Sequence, residues 1–145
     1  MSFIDALNIS GSGLTAQRLR MNLISSNLAN AQTTRTEKGG PYQRQEAVFA
    51  ARPLDSDFNR MLTSRLDPET AQVKVVEVVE DPRPPIMKFD PDHPDAHADG
   101  YVAFPNIQVL EEMVNLMTAS RSYEANVAAV KAAKAMALRA LEIGR

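Results

Sequence analysis

Residues 107–143 read IQVLEEMVNLMTASRSYEANVAAVKAAKAMALRALEI, and this stretch decides the fold class. It contains neither glycine nor proline, the two residues that most disfavour a helix interior. Pro105 and Asn106 precede it, and asparagine is a preferred N-cap, while Glu111 and Glu112 suit the positive end of a helix dipole. The sequence therefore predicts one helix from Ile107 to Ile143, about 55 Å long at 1.5 Å per residue.

One face of this helix has apolar residues at alternating spacings of three and four, which is typical of a coiled-coil seam. Two positions in the seam, Ser120 and Lys134, are polar. Alanines crowd the C-terminal half, so other helices could approach on more than one side. The predicted seam consists of Met113, Leu116, Ser120, Tyr123, Val127, Val130, Lys134, Ala137 and Leu141.

A second amphipathic helix is predicted at the other end of the chain. Ser2 and Asp5 have the spacing of a capping box, which indicates that the helix begins there. Gly11 and Gly13 together cost about 2 kcal/mol relative to alanine, so we expect the helix to bend or to start near them and to depend on a partner surface. Its apolar face repeats every seven residues, at Leu7, Leu14, Met21 and Leu28.

All nine prolines lie between Pro41 and Pro105, and this middle part has the alternation of short strands. Residues 54–67 fit either a helical turn or a loop. Val73, Val75 and Val79 are expected to point inward. The four strand candidates are Tyr42–Phe49, Val73–Val79, Ile86–Phe89 and Tyr101–Phe104.

These patterns predict an α+β fold in three parts. Residues 1–34 and 106–145 supply long N- and C-terminal helices that pair in a coiled-coil-like unit. Residues 35–105 form a loop and a small β-rich, proline-rich middle segment. The middle is too small for a large core of its own, so apolar helix faces should remain available for assembly.

Composition excludes several classes of protein. The chain has 145 residues, a net charge of −2 and no cysteine, which removes disulfide frameworks and cysteine-based zinc sites. Basic and acidic residues are interleaved, which argues against a nucleic-acid partner. No apolar run is long enough for a membrane span, and the N-terminus lacks the basic and apolar regions of a cleavable signal peptide.

A metal site is the one chemical alternative that the sequence raises. His93 and His97 lie four residues apart within Asp90–Gly100, among four aspartates. Pro91 and Pro94 argue against the helix that an i, i+4 histidine pair needs, and the segment does not match the calcium-loop pattern. A solvated turn is the better interpretation, so we predict no metal, no cofactor and no catalytic residues.

Three parts of the sequence together resemble the bacterial flagellar rod and hook proteins, and among them the proximal-rod type. The N-terminal part is SSNLANAQTTR (25–35), continued by GGPYQRQ (39–45). The other two are HPDA (93–96) leading to GYVAFPN (100–106), and EEMV (111–114) leading to ASRSYEANV (119–127). Residues 54–80 carry no motif of the family.

The resemblance implies a structural subunit of the basal-body rod, the drive shaft that transmits motor torque across the periplasm. Its terminal helices would pack into a tube, and the subunit would be exported through the flagellar type III apparatus without signal cleavage. The implied partners are other rod proteins, copies of itself, and the adaptor and export gate at the rod base. A soluble helical adaptor or chaperone that binds one partner is the alternative.

The assembly interface expected on this interpretation comprises the apolar positions of both helices. Asn27 and Asn30 are added because asparagine side chains cap backbone groups at helix ends, so we expect both to terminate the first helix. The predicted residues are Leu7, Leu14, Met21, Asn27, Leu28, Asn30, Met113, Leu116, Tyr123, Val127, Val130 and Leu141.

Overall fold

The computed structural model describes residues 3–53 and 71–143. The fold class is α+β, as predicted, with a long helix at each end of the chain and two small sheets between them. The elements in chain order are α1 (Phe3–Ala29), β1 (Gln45–Pro53), β2 (Ala71–Glu80), β3 (Ile86–Phe89), β4 (Tyr101–Phe104) and α2 (Val109–Ile143). The unassigned stretch 54–67 lies outside the described residues.

The two helices pack against each other along their length in antiparallel orientation. Asn27, near the end of α1, contacts Glu112 at the start of α2, and Gly13 faces Asn126 further along the pair. Ala16, Ile24 and Asn27 are the buried residues of α1. The buried residues of the helix pair therefore form a narrow strip, and among the other described residues Val102 of β4 and Ile107 before α2 are buried as well.

The packing line of α2 differs from the predicted seam at every second position. Glu112, Ala119 and Ala133 are buried, seven and fourteen residues apart, and the half-buried Asn126 falls on the same line. The sequence pattern placed this line one residue later, at Met113, Ser120, Val127 and Lys134. The prediction followed the alternating spacing of three and four residues, whereas the line packed against α1 carries small and polar residues. The remaining predicted positions Leu116, Tyr123, Val130 and Ala137 are half-buried.

Helix α2 begins two residues later than expected. The amide of Glu112 donates to the carbonyl of Gln108 at 3.0 Å, so Gln108 occupies the N-cap position. The side chain of Asn106, which was expected to be the cap, donates to the carbonyl of Pro84 at 3.2 Å. Asn106 therefore ties the start of the helix to the proline-rich turn.

Helix α1 runs without a break through Gly11 and Gly13, although a bend or a start was expected there. At Gly13 a Cβ atom would lie 3.0 Å from Nδ2 of Asn126 on α2, which is closer than an ordinary contact. The glycine thus serves the approach of the two helices and leaves α1 continuous. Ser2, the proposed capping residue, lies outside the described residues.

Strands β1 and β2 form an antiparallel pair with a bulge between Val48 and Phe49. The pair packs on α1, and the Val73 amide donates to the Ser12 hydroxyl at 3.1 Å. Strand β1 starts and ends later than the predicted Tyr42–Phe49. The Tyr42 amide donates to the Thr33 carbonyl in the loop after α1 at 3.0 Å, and the pairing with β2 extends to Pro53. The expected inward valines are only partly covered: Val75 is half-buried, and Val73 and Val79 remain exposed.

Strands β3 and β4 have the predicted limits and pair from Ile86 opposite Phe104 to Phe89 opposite Tyr101. The intervening turn closes where the Asp90 amide donates to the carbonyl of Gly100 at 3.0 Å. Gly100 has φ = 75°, in the left-handed region, and a Cβ atom there would lie 2.8 Å from the Phe89 ring. Both requirements explain a glycine at this position.

Among the helices that the structure describes, none combines the length and hydropathy needed to cross a membrane.

Candidate functional site: a polar joint and an exposed helix face

Asn27 is the centre of a buried hydrogen-bond cluster that joins the helices to the strands, and its side chain is fully buried. Its Oδ1 accepts from the Gln45 amide at 2.9 Å and from the Tyr42 hydroxyl at 3.1 Å. Its Nδ2 donates to the Gln45 carbonyl at 2.9 Å and to Oε2 of Glu112 at 3.2 Å. All four hydrogen-bonding positions of the amide are thus used. We call Asn27, Tyr42, Arg44 and Glu112 the polar joint.

The charged half of the polar joint is the pair formed by Arg44 and Glu112. Glu112 is 1% exposed, and its Oε1 accepts from Nε of Arg44 at 2.9 Å. Nη1 of Arg44 also donates to Glu46 at 2.8 Å and lies 4.0 Å from Asp81. Burial lowers the pKa of Arg44, but its bonds to Glu46 and Glu112 outweigh burial and raise that pKa. The guanidinium therefore stays charged and neutralises the buried carboxylate.

Asn30 caps α1 as expected. Its Nδ2 donates to the Ser26 carbonyl at 2.9 Å, and its Oδ1 accepts from the Thr33 hydroxyl at 3.2 Å. The capping role predicted for Asn27 is wrong, because Asn27 lies inside α1 and bonds to β1 and α2 instead. These bonds pair both the amide and the carbonyl of Gln45, the first residue of β1, with the side chain of Asn27.

The Asp90–Gly100 segment uses its polar groups for internal contacts. Nδ1 of His93 accepts from the Asp95 amide at 3.1 Å, and Oδ2 of Asp95 accepts from the Thr34 hydroxyl at 2.8 Å. The carboxylate of Asp95 also lies 3.8 Å from Arg35. Within residues 3–53 and 71–143, no three acidic or histidine side chains are placed to hold a metal ion together. The segment fastens β3 and β4 to the loop after α1.

The residues predicted for assembly fall into three groups by exposure. Asn27 is buried, while Met113 and Leu141 are 47% and 72% exposed. The rest are half-buried, namely Leu7, Leu14, Met21, Leu28, Asn30, Leu116, Tyr123, Val127 and Val130. In the single chain, therefore, only Met113 and Leu141 of this set are largely accessible to another molecule.

A second apolar surface, which the sequence reasoning missed, lies at the N-terminal end of α2. Leu110, Met113, Val114 and Met117 have the i, i+3, i+4, i+7 spacing of one helix face, and all four are exposed, Leu110 by 76%. They lie on the side of α2 opposite Glu112 and Ala119, which face α1. We call these four residues the outer face. The spacing alone could have revealed it, but Met113 had been assigned to the seam with α1.

Comparisons with known proteins match both ends and the whole length of the chain. A model described as "Flagella basal body rod protein" matches residues 7–35, and one described as "Flagellar basal body rod FlgEFG protein C-terminal" matches residues 98–143. The flagellar basal-body rod protein FlgC of Bacillus subtilis is 42% identical, with all of both chains aligned. The FlgC protein of Borreliella burgdorferi is 41% identical over 99% of this chain and 98% of its own.

The FlgC protein of Escherichia coli O157:H7 is 39% identical, again over all of both chains. The two rod-family matches coincide with α1 and its following loop, and with β4 and α2, the parts that meet in the polar joint. The chain therefore belongs to the FlgC family of flagellar basal-body rod proteins and is a structural subunit of the rod.

Proposed function

We propose that this subunit polymerises through α1 and α2, and that these helices form the wall of the proximal rod that transmits motor torque. The observation that carries the proposal is the outer face, a contiguous apolar surface on the side of α2 that α1 leaves uncovered. An apolar helix face in water is unfavourable by about 25 cal/mol per Å², so a neighbouring subunit that covers it stabilises the assembly.

The division of labour follows the three sequence regions. Residues 1–34 and 106–145 would be the rod-core part, and residues 35–105 would decorate it and select neighbours. The polar joint supports this division because Arg44 holds the middle segment to Glu112 on the helix pair. Torque applied to the helices would then pass to the middle segment through hydrogen bonds between buried groups.

Most of the predicted interface residues would act in assembly through the helix pair. Met113 and Leu141 are exposed and would contact neighbours directly, together with the rest of the outer face. Leu7, Leu14, Met21, Leu28, Leu116, Tyr123, Val127 and Val130 are half-buried and would add further contacts with neighbours outside the outer face. Asn27 and Asn30 would act indirectly, by holding the loop after α1 in place.

The remaining parts of the proposal concern partners and export. The subunit would assemble with other rod proteins and its own copies, and at the base of the rod with the adaptor and the export gate. It would reach the periplasm through the flagellar export apparatus without a cleaved signal peptide. Its role would be structural and not enzymatic, in keeping with the names of its relatives.

The proposal is tested by placing a charge on the outer face. Met113→Asp is expected to abolish rod assembly and swimming in cells that lack the native protein, because a buried unpaired carboxylate costs several kcal/mol. The control is Val76→Asp, which puts the same charge on an exposed position of β2. Electron cryotomography of basal bodies and swimming in soft agar are the readouts.

Since Met113 is exposed in the single chain, the variant should fold, and circular dichroism of the purified protein checks this. Leu14→Asp and Val127→Asp test the half-buried positions in the same way. Normal rods carrying Met113→Asp would show that α2 does not use its outer face in the rod.

A further inference from the structure

The side of α2 that faces away from α1 carries a stripe of exposed residues, which begins in the outer face and extends towards the end of the helix. After Leu110, Val114 and Met117 the same side carries Ala128 and Ala135, all of them exposed. The two halves of the stripe therefore differ in size, with bulky residues near the start of α2 and alanines near its end. Between the halves lie two exposed residues of opposite charge, Arg121 and Glu124.

We propose that the unassembled subunit binds a second copy of itself through this side of α2, with the two helices antiparallel. The bulky half of each copy then lies on the alanine half of the other. In the register centred between Arg121 and Glu124, Met117 packs on Ala128 of the second copy and Leu110 on its Ala135. Val114 lies on the aliphatic stem of Lys131, whose ammonium group extends to solvent.

Charge complementarity favours a second copy of the chain as the partner, and it favours the antiparallel orientation. In this register Arg121 of each copy faces Glu124 of the other, so the twofold symmetry forms two ion pairs at the centre. A parallel in-register pair would instead set Arg121 against Arg121 and Met117 against Met117. Because bulky residues fit best against small ones and like charges repel, the antiparallel arrangement is favoured.

The contact would hide the same apolar surface that we propose for the rod wall, and in that respect it rests on the proposed function. The dimer would keep the surface covered until rod neighbours replace the second copy. Dimerisation is measured on the purified protein and rod assembly in cells, so either proposal can fail while the other stands.

The first experiment exchanges the central charges. Sedimentation equilibrium of the full chain should show a dimer, and Glu124→Arg should raise its dissociation constant at least about tenfold, since two attractive pairs become repulsive. The double variant Arg121→Glu, Glu124→Arg should restore dimerisation because the two charges are exchanged within every pair. Glu77→Arg on β2 is the control and should leave the dimer unchanged.

The second experiment uses the absence of cysteine from the chain. A mixture of Met117→Cys and Ala128→Cys chains should form a disulfide-linked dimer under mild oxidation, while neither chain alone should do so. A monomer at all concentrations, cross-linking of Met117→Cys to itself, an open-ended polymer, or no rescue by the charge exchange would each overturn the inference.

Discussion

Replacement of Arg44 by leucine tests whether the polar joint holds the molecule together. The change removes the cation beside Glu112, whose carboxylate is 1% exposed, while the Arg44 side chain itself is only 13% accessible. Among the residues that the structure describes, the hydrogen bonds from the loop before β1 to α2 would then run through Asn27 alone. We expect a large loss of stability with little change in the helices themselves.

The magnitude follows from the distance between the charged atoms. At 2.9 Å and an effective dielectric constant of about 20, the attraction between Arg44 and Glu112 is about 6 kcal/mol, and the desolvation of both groups offsets part of it. Removal of one partner from a buried pair costs about 3–5 kcal/mol. Nδ2 of Asn27 still donates to Glu112 at 3.2 Å, so we expect a loss of about 3 kcal/mol.

Urea unfolding followed by circular dichroism measures this loss. With a slope of about 2 kcal/mol per molar urea, the midpoint should fall by about 1.5 M. The double variant Arg44→Leu, Glu112→Leu should recover part of it, since the buried unpaired carboxylate is gone, although Nδ2 of Asn27 then loses one acceptor. Lys38→Leu is the control, because its pair with Glu80 at 3.2 Å is exposed and should contribute less than about 1 kcal/mol.

The reasoning is refuted if Arg44→Leu costs no more than Lys38→Leu. It also fails if the double variant is as unstable as the single one, because the buried carboxylate would then not be the cause.

Two further predictions concern the turns around the sheets. Gly100→Ala should lower the free energy of unfolding, measured in urea, more than Gly39→Ala does. Both glycines have positive φ, which costs alanine about 1–2 kcal/mol at either position. At Gly100 the added Cβ atom would also lie 2.8 Å from the Phe89 ring, whereas at Gly39 it would have no neighbour within 4 Å. Equal losses would contradict a role for the ring. Hydrogen bonds from Arg83 lower the pKa of Asp81 in the folded protein below its ordinary 3.8. The ionised carboxylate therefore stabilises the fold fully above pH 3.8, and this contribution is lost as the pH falls through the lowered pKa of the folded state. Thermal unfolding of Asp81→Asn should therefore lie below the parent at pH 7 and converge with it in acid, and a constant difference would be inconsistent with this.

Helices and strands were predictable from the sequence where a single local pattern determines their limits. The stretch free of glycine and proline became α2, and the turn-bounded runs Ile86–Phe89 and Tyr101–Phe104 became β3 and β4 with no shift. The start of α2 was not predictable from capping preference, since the Asn106 side chain found a partner in Pro84, which lies 22 residues away. Long-range bonds of this kind leave no trace in a local pattern.

The candidate site was harder to predict because its buried residues are polar, whereas the hydrophobic pattern predicts that apolar neighbours are the buried ones. Glu112 looked like a favourable charge at a helix start, and its neighbour Met113 looked like a core residue. In the structure Glu112 is buried and Met113 is exposed, and hydrogen bonds from Arg44 and Asn27 satisfy the buried carboxylate. Local rules for helix ends singled out Glu112 and Asn27, and the family resemblance covered Arg44 as well, but neither gave the geometry that joins them.

The sequence distances within the polar joint have a consequence for the order of folding. Asn27 and Glu112 are separated by 85 positions, and Arg44 and Glu112 by 68. Closing such long loops is slow and entropically costly, and a chain that emerges N-terminus first must wait for its last quarter before either bond can form. An incomplete chain therefore lacks the partner that neutralises Arg44 and completes the hydrogen bonds of Asn27. A chain that ends before Glu112 would therefore lack the polar joint, so the joint can form only in a subunit that carries at least the start of α2.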